Sequence, residues 1–304
     1  MPQFSVIVPF MGDIGSFEDT LASVLRYRPD DTQVIVSHDG LFRDLHGLTD
    51  EVDFVVSGRT AQLNRLFNCG LRQATGEFVA LLRPGVELDE NWQEPIEHAF
   101  ADQRVGCVSP LIISPSKPSR VVAAGVTKEF GFSRHLCGLN SSTEPMRLRS
   151  LAPLGPTSWA AFYRHSTLQQ IGPCDEMLQP VYLDLDLALS ISTLGLYCLF
   201  EPSCVVSIDR AAPLVREASL AHGRSAQRAI RRHSNEASVG ATLLTITAEL
   251  IRSPLRPWLA HHALQRMNAS RLADIDRHFA EKLSRVVRHQ RWEDQPAPML
   301  RRAV

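Results

Sequence analysis

At 304 residues the chain is long enough for one large α/β domain, or a domain of roughly 200 residues with an appendage, and it can bury a substantial core. Its composition, 44% hydrophobic and 21% charged with a formal net charge of −1, is that of a soluble globular protein, and no apolar run reaches the roughly 18 residues that a membrane-spanning helix needs. Charge is uneven: residues 210–304 hold 17 Lys/Arg, nearly all arginine, against 8 Asp/Glu, or +9, leaving −10 for residues 1–209. That basic stretch reads as a solvated helical surface, as an intramolecular match to the acidic N-terminal part, or as a peripheral contact with an anionic membrane face. Nucleic acid is not expected, because no aromatic residues interleave the arginines in a repeating way.

In chain order, Met1-Pro2-Gln3 leads straight into a strand at 4–8, with no basic leader or small-residue cleavage site, which reads as cytoplasmic. A helix at 16–27 follows, with Ser16 as its N-cap candidate and Pro29 past its end. Strands are expected at 33–37, 52–56, 77–82 and 105–108, and helices at 60–74, stopped by Gly76, and at 91–101. Strands alternating with helices predict a mostly parallel sheet covered on both faces. Residues 114–156 turn to Pro, Ser, Gly and Arg, a loop-rich excursion with one or two extra strands. Beyond it come a strand at 158–164, helices at 165–171 and 184–194, and closing strands at 197–200 and 205–208. The remainder, 210–304, reads as an all-helical extension with helices at about 213–233, 237–251 and 255–287. The six cysteines are scattered, with no Cys-x-x-Cys pair, and read as free thiols of a reducing compartment.

Parallel sheets bind ligands where their strands end. Three such ends stand out: Val8-Pro9-Phe10, Ser37-His38-Asp39-Gly40 and Leu82-Arg83-Pro84-Gly85. An Asp-Gly after a strand is by itself a common turn. Taken in order, however, the blocks resemble the GT-A-fold glycosyltransferases of family 2. The likeness covers residues 1–209 and includes Phe4 to Pro9, Val34 to Gly40, Asn68-x-Gly70-x-x-x-Ala74-x-Gly76-Glu77, Leu81 to Leu88, Ile171 to Glu176 and Asp184-Leu185-Asp186-Leu187.

The resemblance implies a GT-A-type, mostly parallel sheet flanked by helices, and transfer of a sugar from a nucleotide-sugar donor to a glycan, lipid or other hydroxyl acceptor. It implies nucleotide contacts at Pro9 and Asp39, with His38 in the place of the family's first aspartate. Basic donor-side candidates are Arg59 and, beside it, Arg65. Asp184 matches the base that deprotonates the acceptor as it attacks the anomeric carbon, usually with inversion; capping the following helix is its simpler alternative. Asp186 is either an acceptor-side residue or a partner in an internal ion pair, and Trp159 lies in the acceptor-side block. Family members usually hold a divalent cation, Mn or Mg, on an Asp-x-Asp; here those positions are Arg83 and Gly85, so no metal ligand is expected. Either Arg83 meets the donor diphosphate itself, in a metal-independent enzyme of polysaccharide biosynthesis, or the domain is inactive and binds a nucleotide, a glycan or another protein. A GT-A-like nucleotidyltransferase is the third, weaker reading.

Overall fold

Strands that are apolar at every position must be covered on both faces, and the central strands here are. The computed structural model describes residues 2–208 apart from Leu45, Arg59 and 129–133, together with Ser225, Arg228, Ala229, Arg232 and His233. The strands are β1 (Phe4–Pro9), β2 (Thr32–His38), β3 (Asp53–Val56), β4 (Phe78–Leu82), β5 (Val86–Leu88), β6 (Val105–Ser114), β7 (Lys117–Ala123), β8 (Val126–Lys128), β9 (Arg134–Leu136), β10 (Ala160–Arg164) and β11 (Tyr197–Ile208). The helices are α1 (Ile14–Tyr27), α2 (Leu63–Gln73), α3 (Gln93–Phe100), α4 (Pro145–Leu148), α5 (His165–Ile171) and α6 (Pro180–Thr193).

The main sheet runs β3-β2-β1-β4-β10-β6-β11-β5, with β7 added on β6, while β8 and β9 form a separate hairpin. Strands β1 to β4 are parallel, β10 is antiparallel to β4 and β6, and β5 is antiparallel to β11. Alternation sorts the core into two layers. Val6, Val8, Ala80, Leu82 and Phe162 meet Phe17, Leu21 and Val24 of α1 and Ile96 and Phe100 of α3. Ile7, Ile35, Val79, Leu81 and Tyr163 meet Leu63 and Phe67 of α2, Leu168 of α5 and Leu183, Leu187 and Ile191 of α6. This is the expected sheet between helical layers, and it sets the C-terminal ends of β1, β2 and β4 along one rim.

Several boundaries differ from expectation for local reasons. Helix α1 is capped by Asp13, whose carboxylate accepts from the Ser16 N–H and, at 2.7 Å, from the Ser16 hydroxyl; Ser16 is thus inside the first turn rather than the cap. Gly76 does not stop α2, which ends at Gln73 with Ala74 as C-cap. Its role is close approach: a Cβ there would lie 2.6 Å from the Ser5 nitrogen and 2.7 Å from the Phe4 carbonyl carbon. The two closing strands are one bulged strand, β11, and the excursion carries three strands, β7, β8 and β9. Helix α6 begins at Pro180, with Gln179 as N-cap, so Asp184 stands more than one turn inside it and caps nothing. The predicted C-terminal helices lie almost wholly outside the described residues.

Candidate functional site

The rim begins with a turn after β2. Pro9 is in register with Ser37, and the Phe10 N–H donates to the Ser37 carbonyl at 2.8 Å, so the Val-Pro end of β1 lies beside the start of the Asp-Gly turn. His38 Nδ1 accepts from the Gly40 N–H at 3.1 Å, and Asp39 Oδ1 accepts from the Leu41 N–H at 3.0 Å. Both are local turn bonds of the Asx kind. Asp39 is half-buried, and its second carboxylate oxygen makes no hydrogen bond among the described residues. His38 is buried with its ring edge-on to Phe42 at 5.7 Å; desolvation lowers its pKa, with the Asp39 charge opposing.

The second element is the turn after β4. The Arg83 N–H donates to the Trp159 carbonyl at 2.8 Å, and the Val86 N–H donates back to the Arg83 carbonyl at 3.1 Å. With Pro84 in its second position and Gly85 at φ 90° in its third, this is a type II turn. The Gly85 N–H is shared between the Ser16 carbonyl and the Thr20 hydroxyl, each at 2.9 Å, which ties the turn to α1. Gly85 is required by its left-handed backbone, since its surroundings leave ordinary contact distances to Ser16. An aspartate there would be strained. Arg83 is half-buried, and its guanidinium makes no hydrogen bond or ion pair among the described residues. Burial lowers its pKa, the charge of Asp184 opposes that, and the charge of Arg134 adds to it; an arginine remains cationic throughout.

These residues do not fit a divalent cation. A guanidinium and a residue without a side chain offer no anionic oxygen where the Asp-x-Asp would stand. Glu87 and Asp89 face a different cleft, lined also by Asp19 and Arg26. Among the described residues no group of His, Cys, Asp or Glu is disposed to hold a metal ion.

The third element is a buried ion pair that the sequence reading did not contain. Asp184 is 1% exposed. Arg134 grips it from β9, with Nε 2.9 Å from Oδ1 and 3.1 Å from Oδ2, and Nη2 2.7 Å from Oδ2. The Ser158 N–H donates to Oδ2 at 3.2 Å and the Leu185 N–H to Oδ1 at 2.8 Å. Ser158 is next to Trp159, whose carbonyl holds the Arg83 N–H, so Asp184 and the Arg83 turn meet on consecutive residues. The hairpin that carries Arg134 can lie this close because Gly155 packs on α6: a Cβ there would come within 2.4 Å of the Ala188 Cβ. Nothing local marks Arg134 in the sequence; it is one of several arginines in the excursion.

Asp186 faces away from this site. Its carboxylate accepts from Arg232 Nη1 at 3.0 Å and pairs with His233 Nε2 at 2.9 Å, while Asp175 pairs with Arg228 and, at 3.3 Å, with Arg232. Ser225, Arg228, Ala229, Arg232 and His233 are helical and spaced i, i+3, i+4, i+7, i+8, which puts them on one face against α6. Basic residues of the C-terminal stretch thus meet acidic residues of the sheet domain. Asn68 and Asn64 of α2 hold the turn before α6, donating to the Cys174 carbonyl at 2.9 Å and the Asp175 carbonyl at 2.8 Å. Arg65 donates to the Ser57 carbonyl at 3.0 Å, Trp159 is half-buried at the rim, and Arg59 lies outside the described residues.

No protein-family model and no curated protein sequence matches the chain. Its structure is similar to that of GalNAc-T7 with UDP, GalNAc and Mn2+, at a TM-score of 0.61 and 16% identity over 92% of this chain and 58% of that one. A mannosyltransferase from Pyrobaculum calidifontis, in complex with GDP-Man and Mn2+, gives a TM-score of 0.49 at 16% identity over 97% of this chain and 88% of its own. The likeness to GalNAc-T7 is one of fold, and the fold is that of the GT-A glycosyltransferases. The chain spans little more than half the length of GalNAc-T7.

Proposed function

We propose that this protein is a glycosyltransferase of the family 2 type that moves a sugar from a nucleotide-sugar donor to a hydroxyl of a glycan or lipid-linked acceptor, without a metal ion. Arg83 carries this reading: a half-buried guanidinium without a partner among the described residues, at the end of a central strand, where carboxylates would otherwise hold a cation. Its fork of donors suits phosphate oxygens and supplies permanent charge against the departing diphosphate. Asp39 and Pro9 serve the nucleotide. The acceptor oxygen bonds to the anomeric carbon as the bond from that carbon to the diphosphate oxygen breaks; the electron pair leaves with the diphosphate, and the acceptor proton passes to Asp184. A positioned base contributes roughly a hundred- to ten-thousand-fold. Trp159 forms part of the acceptor side, and Asp186 holds the C-terminal segment. No described helix is long and apolar enough to cross a membrane, and a lipid-linked acceptor would be met through the arginine-rich residues 210–304.

The test is turnover of a panel of nucleotide-sugars in EDTA, with Arg83→Ala and Asp184→Asn each expected to abolish it. A broad panel with neither binding nor turnover refutes the reading, and a manganese requirement refutes the role of Arg83. The buried Arg134–Asp184 pair favours a second reading, in which the base is permanently occupied and the domain binds a nucleotide or glycan without transferring; donor binding with no turnover for any acceptor would select it.

A further inference from the structure

The excursion carries the opposite charge to the domain around it. Residues 114–156 hold six Lys/Arg against two Asp/Glu, or +4, so of the −10 of residues 1–209 the remainder of that domain bears −14. Four of these cations share one exposed piece of structure. The outer half of β7, which bears Lys117 and Arg120, is tied to residues 140–143: Arg120 forms a β-bridge with Ser142, the Thr143 N–H donates to the Ser119 carbonyl at 3.2 Å, and Arg120 Nη1 donates to the Asn140 carbonyl at 3.0 Å. Helix α4 follows directly and is anchored by Leu148, which packs with Leu111, Val121 and Ala124. A helical residue two positions before an inward one faces away from it, and Met146 stands there. It is 85% exposed, more than any other large hydrophobic side chain among the described residues. Arg149, three positions on, lies on the same face as Met146, and Arg147 flanks it. Lys117, Arg147 and Arg149 are exposed and make no side-chain hydrogen bond or ion pair among the described residues, while Glu144 is the exposed carboxylate beside them.

We propose that this face, Lys117 and Arg120 of β7 with Met146, Arg147 and Arg149 at α4, docks the protein on an anionic lipid bilayer. Acidic headgroups attract the face and repel the acidic remainder of residues 1–209, so the approach of that domain is oriented. At contact, the Met146 thioether leaves water for the headgroup layer, while the arginine stems lie along it and keep their guanidiniums among the phosphates. A soluble anionic polymer supplies the charge but offers the methionine no apolar medium, which is why a bilayer is the partner that the face fits. This docking goes beyond the transfer proposed above and does not depend on it, since neither Arg83 nor Asp184 takes part. For that reaction it brings the protein to the surface where a lipid-linked acceptor would be held.

The experiment is co-sedimentation of the full chain with vesicles of phosphatidylcholine mixed with phosphatidylglycerol, and of phosphatidylcholine alone. Native protein should bind the mixed vesicles, more weakly at high salt, and should not bind the neutral ones. Arg147→Gln and Arg149→Gln should each weaken binding about fivefold, the worth of one cation near an anionic surface, and Glu144→Gln should tighten it about fivefold. Met146→Ser, which leaves the charge unchanged, should weaken it about tenfold. All four side chains are exposed, thermal unfolding checks that each variant is folded, and the gain in Glu144→Gln cannot arise from misfolding. Equal binding by native protein and all variants puts the contact elsewhere, residues 210–304 included, and overturns the proposal. Sensitivity to the arginines but not to Met146, with equal capture of a soluble polyuronate such as alginate, assigns the face to anionic glycans and overturns the bilayer. No binding to the mixed vesicles overturns it as well, and leaves the transfer reaction untouched.

Discussion

Removing the Arg134 guanidinium tests how strongly the pair is coupled. In Arg134→Met the Asp184 carboxylate, 1% exposed, would lose three contacts of 2.7–3.1 Å and keep only the Ser158 and Leu185 N–H groups. Stranding a buried charge in this way costs about 3–5 kcal/mol. Asp184→Asn removes the other charge of the pair, at a similar cost of about 3 kcal/mol, while its amide oxygen can still accept from one of the backbone donors. The double variant has no stranded charge, so its loss should be about that of one single variant rather than the sum of both, a coupling near 3 kcal/mol. Urea unfolding at equilibrium reads all four proteins, with equal m-values required before the differences are compared. If the two losses add to within about 0.5 kcal/mol, the pair is not coupled and the backbone donors alone carry the burial of Asp184.

Two further outcomes follow from the same geometry. Gly76→Ala puts a methyl 2.6 Å from the Ser5 nitrogen in β1 and displaces the Ser5 hydroxyl that accepts from Thr75 and Gly76. The cost should be about 2–4 kcal/mol in urea unfolding, against about 1 kcal/mol for Gly195→Ala, where only the φ of 80° is strained; equal losses would refute the close-packing account. His38 has a folded pKa below its unfolded value of 6.5, so its neutral form stabilises the fold above that pH, and stability falls as pH drops through 6.5 toward the folded pKa. The slope should be at most about 1.4 kcal/mol per pH unit and should shrink in His38→Gln; an unchanged profile would remove His38 as its source.

Much of the architecture can be read along the chain because its causes are periodic. Strands such as 78–82, apolar on both faces, and helices with one apolar stripe have few other ways to be buried, and the resulting layers are those observed. Boundaries were less legible where a competing group decided them. Asp13 outcompeted Ser16 for the first orphan amides, and Pro180 began α6 before Asp184. Gly76 resembles a helix stop in one dimension, yet its reason is a neighbouring backbone that is distant in sequence.

At the site, the sequence alone determined which side chains the rim could offer: a turn that demands glycine at 85, an arginine at 83, and aspartates at 39 and 184. Those are properties of residue type and local spacing. Only the tertiary structure decided what each charge meets. It set Arg134 on Asp184 across fifty positions of chain and Arg232 and His233 on Asp186 across nearly as many. Electrostatic partnership depends on distance and burial in space, and neither is written in the order of residues along the chain.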